Sequence, residues 1–214
     1  MRIPNGDEVL VDARLILEVI CAALKFGEER TKAFFAREEE QTPDRCLAHN
    51  LVRFHAKRYL ASAGRIVRDL DASDDYELAP LGNNGLQIET QKYCIRIRKA
   101  ARGQLPAAGS EVLDRFYDQR MLQFPNAVAQ EILRLVVLWD VTADYSLTTL
   151  ALALPRFGGK EPEVYWSVQI PMDEMLASFS TQNGASGGAE GDDLPMSVKD
   201  DDELKKEHES GDDD

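Results

Sequence analysis

The dominant apolar period of this chain changes from that of helices to that of strands between its two halves, and that change dictates the class of fold open to it. Between Asp12 and Ala36 the apolar positions Leu15, Ile16, Val19, Ile20, Ala23 and Leu24 recur at three and four, giving one broad helical face that Phe34 and Phe35 extend. Asp12 is the expected N-cap, and Arg37-Glu38-Glu39-Glu40 reads as a solvated end. A second helix should start at Thr42-Pro43-Asp44: Thr can cap, Pro suits the first helical position, and Asp favours the positive end of the dipole. Leu47, Leu51, Phe54, Leu60, Ala63, Ile66 and Val67 carry it toward Leu70, with Arg45, Arg53, Lys57, Arg58, Arg65 and Arg68 interspersed and Gly64 as a weak point. The two segments predict an αα-hairpin.

After Asp71-Ala72-Ser73-Asp74-Asp75 the period becomes two. Leu81-Gly82-Asn83-Asn84-Gly85 signals a turn, because Asn and Gly tolerate positive φ. Leu86 and Ile88 alternate at even positions, whereas Tyr93, Ile95 and Ile97 alternate at odd ones. One straight strand cannot hold both sets on one face, so a bulge or tight turn is expected between Thr90 and Lys92. Ser110 is a candidate cap for a short helix over Glu111–Arg120, with Val112, Leu113, Phe116 and Tyr117 inward. Leu133–Val141 is apolar on both faces at its centre, as an inner strand is. Leu147–Leu154 should return, ended by Pro155, and Val164–Ile170 alternates before a closing helix over Met172–Phe179.

Helices followed by strands with short links argue for an α+β fold, in which an N-terminal αα-hairpin packs on one face of a mainly antiparallel sheet. We expect one domain over residues 1–180, helical over 12–70 and sheet-rich over 77–179, because a two-helix hairpin cannot build its own full core. Residues 181–214 carry 12 acids and 3 bases, most of the chain's net charge of -13, and almost no apolar content. Such a segment is expected to be a disordered acidic tail. Residues 1–180 then hold 26 acids and 22 bases and are only mildly acidic.

No apolar run reaches the length a bilayer span needs, and Met1–Glu8 lacks the pattern of a secretory signal. Cys21, Cys46 and Cys94 are three and far apart, so a disulfide scaffold is excluded and buried free thiols in a cytoplasmic protein are expected. The Ala-, Arg- and Asp-rich usage resembles that of high-GC bacteria and their phages.

Chemistry-bearing motifs are sparse. The sequence contains no Gly-x-Gly-x-x-Gly, phosphate loop, His-Glu-x-x-His or Gly-x-Ser-x-Gly, and Gly158-Gly159-Lys160 reads as a hairpin loop. His49 and His55 are six apart and do not share a helical face; each reads as a surface or core-edge histidine. No cofactor, metal ligand set or catalytic residue is assigned. Glu89, Lys92 and Asp140 would have to converge for a metal-dependent nuclease, and solvated strand-end charges explain them better. The most suggestive feature is Arg96-x-Arg98-Lys99-x-x-Arg102, with Tyr93 nearby. Arg96 and Arg98 share one strand face, and Lys99 and Arg102 extend the positive patch, which suits phosphates or an acidic protein surface. The expected function is a non-enzymatic protein-binding regulatory or accessory role, through a protein partner or self-association. The alternative is nucleic-acid binding or metal-dependent processing at the Arg96–Arg102 strand, modulated by the acidic tail.

Overall fold

The computed structural model describes residues 3–37, 44–67, 76–79, 85–100, 104–107, 109–118, 132–156 and 163–184. The N-terminal helical segment is two helices, α1 over Gly6–Asp12 and α2 over Arg14–Arg37, with Ala13 between them. Asn5 caps α1 by accepting from the Asp7 N–H, so Asp12 is not the cap. The Asp12 carboxylate instead turns to Lys92 and the Tyr93 hydroxyl at the start of a strand. That contact holds it below the usual carboxylate range, chiefly through Tyr93 and then Lys92. Helix α3 spans Arg45–Val67. Its first free N–H groups, those of Cys46 and Leu47, donate to Asp44 Oδ1, so Asp44 does the capping.

Helices α2 and α3 form the expected hairpin, and they touch very closely. A Cβ on Gly27 would lie 2.5 Å from the Val52 carbonyl oxygen. The facing stripe of α3 is Ala48, Val52 and Ala56, small enough for that approach.

Six strands follow: β1 Glu77–Leu78, β2 Leu86–Glu89, β3 Tyr93–Lys99, β4 Leu133–Val141, β5 Leu147–Arg156 and β6 Glu163–Gln169. They pair in chain order, β1 to β6. Helix α4 (Glu111–Tyr117) lies between β3 and β4, and α5 (Met172–Gly184) follows β6. The phase change near Thr90 is a tight turn. The Thr90 N–H donates to the Tyr93 carbonyl, Thr90 Oγ1 accepts from Lys92 and Tyr93, and Ile88 faces Ile95 across the hairpin.

The sheet is mainly antiparallel and carries the αα-hairpin on one face, as expected, with two departures from a simple meander under one helical layer. Hairpins do not join every neighbour: β3 and β4 are parallel, and every other described pair is antiparallel. A parallel pair needs a crossover, which residues 100–132 supply. That crossover also puts α4 on the face opposite the hairpin, so helices cover both faces over β4. Leu17, Ile20, Leu24, Val52 and Leu60 pack on Ile95, Leu135, Val137, Trp139 and Leu152 on one side. Leu113, Phe116 and Tyr117 pack on Val136, Leu138, Ala151 and Ala153 on the other. This two-sided cover is why β4 is apolar throughout.

Smaller corrections are local. Ser110 does cap α4, but Val112 points outward at 64% exposure. Pro155 lies inside β5, at a register shift where its missing N–H is tolerated. Cys21 is buried, whereas Cys46 is exposed and Cys94 half-buried. Helix α5 runs to Gly184, past the expected tail boundary at 181. The rest of the tail, the Asp71–Asp75 break, most of the Leu81–Gly85 turn and the Gly158–Lys160 loop lie outside the described residues.

Candidate functional site

The residues singled out on β3 separate in space. Arg96 is buried at 9% exposure, not solvated. Its Nε donates to Gln87 Oε1 at 2.6 Å and its guanidinium lies 4.2 Å from the Phe116 ring centroid. Burial lowers its proton affinity from the ordinary arginine value. Arg98 shares that face and is half-buried, whereas Lys99, at odd parity, belongs to the hairpin side. Lys99 therefore does not extend the Arg96–Arg98 patch; its Nζ lies 3.1 Å from His49 Nδ1. Tyr93 is buried with its hydroxyl on Asp12, and Arg102 lies outside the described residues.

Glu89, Lys92 and Asp140 do not converge either. Glu89 pairs with Cys94 near the start of β3, and Asp140 follows Trp139, the partner of Lys99 at its end. Five to seven residues of strand separate those ends, about 20 Å. Lys92 is turned to Asp12.

The C-terminal ends of β3 and β4 do gather one polar array. With the Lys99 ammonium donating to Nδ1, the His49 Nε2–H faces Asp140 Oδ1 at 3.7 Å, and the imidazole rests 5.6 Å from the Trp139 ring. The array fastens α3 to both strand ends. No group of three His, Cys, Asp or Glu able to hold a metal occurs among the described residues.

The surface that stands out is the outward side of the α2–α3 hairpin. From Arg45 to Val67, α3 carries Arg45, Arg53, Lys57, Arg58 and Arg65 and not one acid. Its exposed positions Leu47, Asn50, Phe54, Lys57, Arg58 and Ala61 recur at three and four and form one stripe opposite Ala48, Val52, Ala56 and Leu60. Phe54 is 50% exposed and Leu47 38%. The Arg58 guanidinium sits 5.8 Å from the Phe54 centroid. Along the seam with α2, Phe26 meets His55 edge-on and Tyr59 at a tilt, and Arg30 lies 5.2 Å from the Phe26 centroid. The result is a row of aromatic rings flanked by guanidinium groups.

His55 reports on this surface. Burial lowers its affinity for a proton, and the nearby Arg30 and Arg58 charges lower it further, below the ordinary value of 6.5. The unfolded chain therefore takes up this proton more readily, so the His55 contribution to stability is intact above 6.5 and falls as pH drops below it. Replacing Arg58 with Gln should raise the His55 pKa toward 6.5, read by an NMR titration of its ring protons.

Sequence reasoning notes the bases of α3 but not the absence of acids among them, which is the signal that marks this helix in a chain of net charge -13. No family model, curated protein or solved structure matches this chain. No described helix is long and apolar enough to cross a membrane.

Proposed function

We propose that this chain is a protein-binding accessory or regulatory protein, and that the outward face of α3 receives an acidic segment of its partner. One observation carries the reading: α3 has no acid over Arg45–Val67, and Lys57 and Arg58 stand exposed beside Phe54 and Leu47. Exposed apolar side chains flanked by cations suit a partner segment that offers carboxylates beside an apolar anchor. The internal engagement of Arg96 with Gln87 and Phe116 favours α3 over β3 as the contact surface.

The test places a photo-crosslinking amino acid at Asn50 or Ala61 of the full chain in its native cells. The expected product is one discrete protein adduct, insensitive to nuclease, with the crosslink in an acidic stretch. Lys57→Glu with Arg58→Glu should weaken capture roughly tenfold or more, because like charges then face each other across the contact. A nuclease-sensitive adduct, or one that survives the double reversal, would overturn the reading.

A further inference from the structure

The chain carries its own candidate for the α3 face. Residues 190–214 hold 12 acids and 3 bases, and Leu194, Met196, Val198 and Leu204 are scattered among them. That combination mirrors the bases, Leu47 and Phe54 on α3. The segment is also within reach. It continues α5, which packs on α2, which packs on α3. Two helix spacings amount to about 20 Å. The eight residues from Gly184 to Asp192 reach up to about 28 Å when extended, and 22 more residues follow.

We propose that the acidic C-terminal segment of this chain docks on the Leu47–Phe54–Arg58 face of α3 and competes there with an acidic partner. This rests on α3 being an acidic-segment site at all, as argued above. The tether makes the competition effective. At an effective concentration of about 1 mM, a segment binding with a Kd of only about 0.1 mM lowers the apparent affinity for an outside ligand roughly tenfold. A partner must then outbid the segment, so a short acidic peptide is rejected while a large complementary surface is accepted.

Two chains of full length decide it: the natural one, and one whose twelve acids at 190–214 are changed to Asn and Gln. The probe is a labelled twelve-residue peptide of glutamates around a central leucine pair, followed by fluorescence anisotropy at 0.15 M salt, where the screening length is about 8 Å and distant repulsion is small. The neutralised chain should bind the peptide about tenfold more tightly, and Lys57→Gln with Arg58→Gln should remove the difference. In the natural chain, carbodiimide coupling should join Lys57 Nζ to carboxylates of 190–214, in monomers and independently of dilution. Equal peptide affinities would overturn the inference and leave α3 as a site for acidic segments. Binding by neither chain would overturn both. Coupling found only in dimers, and lost on dilution, would overturn the intramolecular contact.

Discussion

Arg96→Glu should unfold or strongly destabilise the protein. Arg96 is 9% exposed, with its Nε on Gln87 Oε1 and its guanidinium over Phe116. A carboxylate there loses both contacts, brings its charge near the quadrupole-negative ring face, and meets another acceptor in Gln87 Oε1. Leaving a buried charge uncompensated costs about 3–5 kcal/mol. For a chain of this size, that lowers Tm by roughly 10 °C or more. Arg98, half-buried on the same face, provides the comparison: Arg98→Glu should cost far less. Thermal unfolding followed by circular dichroism separates the two. Equal, small shifts would mean that Arg96 is solvated after all.

Gly27→Ala should also destabilise, although alanine is the better helix former by about 1 kcal/mol. The new methyl would sit 2.5 Å from the Val52 carbonyl oxygen and 3.2 Å from its carbonyl carbon. To restore an ordinary carbon–oxygen contact, α3 must move by about 0.8 Å. Such a shift strains the Ala48, Val52 and Ala56 packing and the His49 array below it. Overpacking of this kind costs up to about 3 kcal/mol, so a net loss of about 2 kcal/mol is expected after the helical gain. Val52→Ala should not rescue it, because the obstacle is backbone. Gly6 offers the contrast. A Cβ there meets Val168 Cγ1 at 2.8 Å and the Trp166 ring at 3.0 Å, so Val168→Ala should relieve part of any Gly6→Ala loss. Rescue of Gly27→Ala by Val52→Ala would refute the backbone argument.

These residues also mark how far the sequence can be read. Local signals carry well: Ser110 caps α4, and the Thr90 turn follows from two alternations out of phase. The Asn5 cap and the Ala13 break escape because the apolar face runs through Ala13 undisturbed. Alternation places Arg96 and Arg98 together opposite Ile95 and Ile97, yet it cannot say what covers their face. That cover is Phe116, twenty residues on, and its arrival depends on β4 pairing parallel to β3. Lys99 was separable by parity alone, since it continues the odd positions of Ile95 and Ile97. Gly27 shows no local sign, because a helical period names a face and not the point at which a second helix crosses it. The charge of α3 was legible throughout; its exposure required the hairpin to be docked.

The order of the strands has a consequence for how the chain assembles. Most neighbours in the sheet are joined by short links: 90–92 for β2–β3, 142–146 for β4–β5 and 157–162 for β5–β6. The β3–β4 link runs from 100 to 132, 33 residues against five for the β4–β5 turn. Closing it costs roughly 1.7 kcal/mol more chain entropy than that turn. The two halves with short links, β1–β3 and β4–β6, are therefore expected to pair internally before they join along the β3–β4 seam. The same seam carries Trp139 on one side and Val136 and Leu138 on the other, the side chains that the two helical layers bury. Within the sheet, the β3–β4 pairing is the join with the longest link among the described strands.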